Sequence, residues 1–195
     1  MELAGAGTVI TAGSQQEISD EIEEFLTGTQ ATAHHDRMLT TLLFVDAVHS
    51  TERVATIGDL AWRRLLDHFD GAVRHQLTRF SGESQKLMGD GTRATFDGPA
   101  RAIRCGVAIR EAARQIDLEV RVGIPTGEVE VRGSELAGIA IHLAHRVCTA
   151  AEPGEVLVTR TVVDLVAGSG LGFEDRGDYD LKGMPTAWQL FCVAT

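Results

Sequence analysis

The stretch Leu42-Leu43-Phe44-Val45-Asp46 runs four large apolar residues straight into a carboxylate. A run this short and this hydrophobic predicts a buried strand. The aspartate stands at the strand's C-terminal end, the end at which ligands collect in open α/β folds. Desolvating a lone carboxylate costs several kcal/mol or more, so Asp46 needs a partner.

Reading outward from this strand, residues 58–80 carry Trp62, Leu65, Leu66, Phe69, Val73, Leu77 and Phe80 at i, i+3, i+4, i+7 spacing. That stripe predicts a long helix, with Asp59 as its cap. SQKLMGDGTRATF, residues 84–96, reads as two short strands around Gly89-Asp90-Gly91, a hairpin of the Asp-Gly kind. Pro99 opens a second helix. Leu118, Val120, Val122 and Ile124 alternate, the chain turns, and Val129 and Val131 resume, which predicts another strand pair. A helix over GIAIHLAHRVCTAA ends at Pro153-Gly154, and a strand, a short helix and two terminal strands follow. The order up to Ile124 is β-α-β-β-α-β, the split ferredoxin-like arrangement. The expected fold class is therefore α+β, a ferredoxin-like palm with additional C-terminal strands and helices in one domain. Its hairpin sets LMGDG beside the strand that ends in Asp46, which makes Asp90 the expected neighbour of Asp46. Two carboxylates share a site when cations sit between them.

Residues 1–37 are different in composition: Gly, Ala, Thr, Ser and Gln dominate around one helical segment, ISDEIEEFLTG. We read them as a linker or tether with a short helix, and 38–195 as the domain proper. The adjacent His34 and His35 read as solvated linker residues rather than metal ligands. The 195 residues carry 28 acidic and 18 basic side chains, a formal charge of −10. That balance argues against nucleic-acid and anionic-membrane binding. No apolar run reaches the length of a membrane helix, and the N-terminus lacks a secretory n-region. Cys105, Cys148 and Cys192 are odd in number and lie among apolar neighbours, as buried thiols of a reducing, cytoplasmic compartment do.

Two aspartates with no cysteine nearby form an oxygen donor set that suits Mg²⁺ or Mn²⁺. Magnesium is commonly held by one or two carboxylates plus substrate phosphates, so a nucleotide is the natural remaining ligand. The backbone amides of Val48 to Ser50, opening a helix, are placed to hold phosphate oxygens. A strand-end Asp and a turn Asp-Gly are also ordinary structural features, and both readings stand at this point. Ile139, His142 and Arg146 fall at offsets of three and four on one helical face. An imidazole and a guanidinium there suit an anionic partner, or simply a solvated face.

These segments resemble the catalytic domain of the class III nucleotidyl cyclases, bacterial type. The resemblance rests on LLFVDAVHSTE, KLMGDGTRATF, VRVGIPTGEVEV, GIAIHLAHRV, PGEVLVTRTVVDLVAGSG and LKG, in that order, over roughly 42–193. It implies an adenylate cyclase that converts ATP to 3′,5′-cyclic AMP and pyrophosphate with two Mg²⁺ or Mn²⁺ ions per site. Asp46 and Asp90 match the family's metal aspartates. Lys86 matches its purine-recognising lysine and Arg146 the arginine that stabilises charge on the α-phosphoryl group. Ser50 and Thr51 fall in the phosphate loop, and Lys182 stands where a triphosphate contact is often found. Sites are shared between the chains of a head-to-tail homodimer in this family, so dimerisation is expected to be a condition of activity. ISDEIEEFLTG is similar to the segment that joins an α/β-hydrolase domain to such a domain in some bacterial members, which implies a hydrolase-like domain upstream in the full-length protein.

The sequence departs from that pattern at several positions. Ile139 stands where the family hydrogen-bonds the adenine amino group, which implies relaxed base selectivity. His142 replaces the asparagine that orients the ribose, and His49 a glycine of the phosphate loop. Thr92 and Arg93 replace apolar residues. Slow turnover is one expectation; the alternative is a catalytically weak cyclase-like module that binds nucleotide and regulates a partner.

Overall fold

A computed structural model describes residues 37–85, 91–132 and 135–194. The expected tether lies outside the described residues except for its last residue, Arg37, which opens the first strand. The strand predicted at Leu42–Asp46 is an interior strand of the sheet. β1 (Arg37–Ala47) pairs antiparallel with β3 (Gly91–Phe96) on one edge and with β4 (Val120–Ile124) on the other. Its apolar run is continuous because both faces are covered, so no polar residue is needed on alternate positions. Leu43, Val45 and Ala47 enter one core and Leu42 and Phe44 the other.

The first core is closed by two long helices, α2 (Asp59–Arg79) and α3 (Pro99–Gln115). Trp62, Phe69, Val73 and Leu77 of the predicted stripe are buried, while Leu65, Leu66 and Phe80 pack at its margin. A short α1 (Ser50–Ile57) precedes α2, and the two are separated by Gly58 at φ 83°. Gly58, not Asp59, takes the cap position. A positive φ is cheap for glycine, and Asp59 becomes the acidic first residue of the helix.

β2 (Glu83–Gln85) pairs antiparallel with β3, as the hairpin reading requires; the turn between them, 86–90, lies outside the described residues. With β7 (Val156–Thr159), β8 (Phe173–Tyr179) and β9 (Trp188–Val193), the sheet order is β2-β3-β1-β4-β7-β9-β8. The first four strands are the split β-α-β-β-α-β unit, and the rest are the C-terminal additions, linked through α5 (Arg160–Leu165).

One predicted pairing is corrected. β4 and β5 (Thr126–Arg132) do not pair with each other; both pair with β1, β4 along Phe44–Ala47 and β5 along Arg37–Thr41. Pro125 lies between them and has no N–H to give, but its carbonyl accepts from the Leu42 N–H at 2.9 Å. The chain therefore stays on the same edge of β1 instead of turning back. β5 then pairs with β6 (Glu135–Ala137), which leads into α4 (Ile139–Ala150).

α4 covers the second face. Ala140, Leu143, Ala144, Val147 and Cys148 are its buried residues, set against Leu42, Phe44 and Val129 in one cluster and Leu157, Leu181 and Leu190 in another. It lies very close to the sheet. A Cβ at Gly123 of β4 would stand 2.2 Å from the Cys148 backbone nitrogen.

Candidate active site

Side chains alternate along a strand, so Asp46 shares the face of Leu42 and Phe44 and points to the side covered by α4. Register places Gly91 opposite Asp46 on one edge and Arg121 opposite on the other. Arg121 answers the question of the partner. Its Nε and Nη2 donate to Asp46 Oδ2 at 3.0 and 2.6 Å, and its Nη1 donates to the Thr149 carbonyl at 3.3 Å. One guanidinium thus ties β1 and β4 to the last turn of α4, where the carbonyl end of the helix favours a cation. Both side chains are about a third exposed or less, so the pair borders solvent.

Beneath it lies Cys148, whose Sγ–H donates to the Arg121 carbonyl at 3.4 Å. Burial, with a smaller contribution from the Asp46 charge, pushes the Cys148 thiol up to about 12. It stays protonated at neutral pH.

Among the described residues, both hydrogen bonds to Asp46 go to Oδ2, and Oδ1 accepts none from them. The chain neighbour that precedes Gly91 is Asp90. Asp90 and Lys86 themselves lie outside the described residues. A partly exposed carboxylate with a spare oxygen, opposite the first residue after Asp90, fits a hard divalent cation.

The phosphate-loop expectation needs one correction. The Val48 N–H donates to the Glu119 carbonyl at 2.9 Å, so of the three amides only those of His49 and Ser50 remain without a backbone acceptor among the described residues. His49 is left-handed, at φ 57° and ψ 30°, which explains why a glycine suits this position. Its Nδ1 lies 3.1 Å from Glu52 Oε2, folded onto the first turn of α1. Ser50 is half-buried and Thr51 exposed.

On α4, His142 is exposed and Arg146 half-buried, one turn apart. Neither forms a side-chain hydrogen bond or ion pair with a described residue. His145, between them in sequence, meets the Phe44 ring edge-on at 6.1 Å. Ile139 is 59% exposed and lines a cavity on the flank of α4. Lys182 projects from a tight turn closed by the Met184 N–H to the Leu181 carbonyl at 2.9 Å, with Gly183 at φ 83°. The structure thus brings Asp46 together with Arg121 and the end of α4. Arg121 was not singled out by sequence reasoning; its signal was a charged residue inside the apolar alternation of β4.

No family model matches the chain. The fold is that of the class III adenylyl and guanylyl cyclase catalytic domains. The adenylyl cyclase CyaB from P. aeruginosa superposes with a TM-score of 0.76 at 23% identity, over 82% of this chain and 95% of that one. An adenylate/guanylate cyclase/hydrolase from Silicibacter pomeroyi gives 0.74 at 21% identity, over 82% and 98%. By sequence, the chain is 27% identical to "Putative adenylate cyclase 3" of Rhizobium meliloti over 164 residues, 76% of this chain and 27% of that protein. The chain thus spans about a quarter of that relative's length. Among the described residues no helix is long and apolar enough to cross a membrane.

Proposed function

We propose that the chain is a nucleotidyl cyclase domain that converts ATP to 3′,5′-cyclic AMP and pyrophosphate, in a homodimer whose sites are shared between chains. The observation that carries this reading is the position of Asp46 on the α4 side of the sheet. Gly91, and with it the start of the strand that follows Asp90, stands directly across from it.

Asp46 and Asp90 would hold the divalent ions, Mg²⁺ or Mn²⁺, which when bound supply charge neutralisation and a lower pKa for the ribose hydroxyl. The chain's own groups do the rest. Arg121 holds the Asp46 carboxylate in place before substrate arrives and offers its remaining donors to the triphosphate. The free amides of His49 and Ser50, with the hydroxyls of Ser50 and Thr51, offer donors to phosphate oxygens. Arg146 supplies a guanidinium to the α-phosphoryl group as charge develops there, and His142 an N–H to the ribose. Lys86 reads the base, and Lys182, held out on its turn, meets the triphosphate. The 3′-oxygen bonds to the α-phosphorus, its proton passes to solvent, and the bond to the bridging oxygen breaks to release pyrophosphate. Ile139 offers no hydrogen bond to a base, so GTP is an expected competing substrate.

The test is incubation of the purified chain with ATP or GTP and Mn²⁺ or Mg²⁺, followed by chromatography of the cyclic nucleotide. Product from the wild type that is abolished by Asp46→Ala is the expected result. A second reading, a weak nucleotide-binding regulatory module, is favoured by the hold of Arg121 on Asp46 and by His142. Nucleotide binding without product under either metal would select it.

A further inference from the structure

The segment that follows Asp46 is pinned at both ends to one turn, residues 116–119, between α3 and β4. At its start the Val48 N–H donates to the Glu119 carbonyl at 2.9 Å. At its other end Arg53 of α1 reaches the same turn. Its Nη2 donates to the Asp117 carbonyl, and Nη1 and Nη2 both lie 3.3 Å from Asp117 Oδ2. Arg53 Nε is shielded from water and makes no hydrogen bond, so the guanidinium acts through its two outer nitrogens. The turn itself is a firm post. The N–H groups of Ile116 and Leu118 donate to the Ala113 carbonyl at 3.1 and 3.0 Å, and that of Asp117 to the Arg114 carbonyl at 3.1 Å.

α1 depends on such anchors. An eight-residue helix is not stable by itself; none of its residues is buried, and Val54 packs only at the margin of the first core. Between the anchors lie the His49 and Ser50 amides and the Ser50 and Thr51 hydroxyls, the donors assigned above to phosphate oxygens. His49 and Asp117 are two of the three left-handed non-glycine residues among the described residues, and such backbone persists where surrounding contacts impose it. We infer that Arg53 is a positioning residue for the triphosphate: it acts through the loop, holding residues 49–51 in the shape that receives phosphate. The inference rests on the cyclase reading of this loop. The Asp117 side chain is 94% exposed, so the ion pair adds little, and the charge-assisted bond to the carbonyl is the main restraint.

The test titrates tripolyphosphate with Mg²⁺ into the whole chain by calorimetry, beside initial rates of cyclic nucleotide formation. Without the clasp the loop has to be ordered on binding. Arg53→Ala should therefore raise the Kd for tripolyphosphate and the KM for ATP about 5- to 20-fold, with kcat within about 3-fold of wild type. Arg53→Lys keeps one donor for the carbonyl and should fall between the two. Should Arg53→Ala fail to fold by circular dichroism, Arg53→Lys has to show a rise of about 2- to 5-fold instead. Arg101→Ala, which removes the exposed pair between α3 and Asp97, controls for the loss of a positive charge and should change neither constant. No tripolyphosphate binding by the wild type at millimolar concentration, or an Arg53→Ala Kd equal to wild type, would overturn the inference. So would an equal loss in Arg101→Ala, or a fall in kcat at constant KM. The cyclase reading fails separately, on a wild type that makes no cyclic nucleotide. In that case a weakened tripolyphosphate affinity in Arg53→Ala would still support phosphate binding by this loop.

Discussion

Asp46 and Arg121 illustrate how one residue can stabilise a fold and prepare a reaction. Exposed ion pairs contribute about 0–1 kcal/mol, and this pair borders solvent, so its value for folding is small. Its value for chemistry is larger. On the proposed function, a guanidinium 2.6 Å from the carboxylate orients it and yields part of that contact when divalent ions bind. Arg121 then has donors to offer the polyphosphate beside it. Charge-assisted hydrogen bonds of this kind contribute about 1.5–3 kcal/mol each. We therefore expect Arg121→Ala to lower kcat/KM for ATP about 10- to 100-fold and to leave the urea midpoint nearly unchanged. Initial rates of cyclic nucleotide formation beside an unfolding curve decide the matter. A rise in activity would instead mark Arg121 as a competitor of the metal ions for Asp46.

At the scale of elements, α4 is the piece on which site and packing both depend. Its buried stripe, Ala140, Leu143, Ala144 and Val147, could be read from the 3.6-residue period, as could most of α2, because burial of one helical face is a local pattern. The close approach of α4 to β4 could not. It depends on Gly123, where an added Cβ would meet the Cys148 nitrogen at 2.2 Å, its Cα at 2.6 Å and the Val147 carbonyl carbon at 2.8 Å. These are backbone atoms, so the whole helix must shift. Overpacking of this kind costs about 1–3 kcal/mol. Gly123→Ala is expected to be destabilised by that amount and to lose more activity than stability, since Arg146 moves with the helix. Gly71→Ala, with nothing within 4 Å of the new methyl, should be neutral or about 0.5–1 kcal/mol more stable. The same distinction explains what the sequence concealed elsewhere. The placement of β5 on β1 rather than β4, the partner of Asp46 and the left-handed His49 all follow from which distant strand lies alongside. A local period does not carry that information, whereas ordered motifs pointed to the face where Asp46 lies.

The three thiols are distributed one to each hydrophobic cluster: Cys105 on the buried face of α3, Cys148 on that of α4, and Cys192 on β9 with the C-terminal strands. All three are free and buried. Burial pushes Cys105 and Cys148 up to about 12 from an ordinary 9.0, and Cys192 upward as well. The sign of the linkage follows. Below about pH 9 the thiols are protonated in both states and contribute no pH dependence. Above it the unfolded chain releases protons that the folded chain holds until about 12, so stability falls as pH rises. The slope approaches about 1.4 kcal/mol per pH unit for each thiol, and Cys105 and Cys148 together should remove about 3 kcal/mol by pH 10. Few other groups obscure this limb, since the chain has two lysines, Lys86 and Lys182, and one tyrosine, Tyr179. Urea unfolding at pH 7, 9 and 10 should show a loss concentrated between the last two. In a Cys105→Ala/Cys148→Ala variant the chain is weaker at pH 7, because two buried side chains are truncated, yet its loss between pH 9 and 10 should shrink to a fraction of the wild-type value. An equal loss in both proteins would mean that the thiols ionise as readily in the folded chain as in the unfolded one, and that the cores around them admit water.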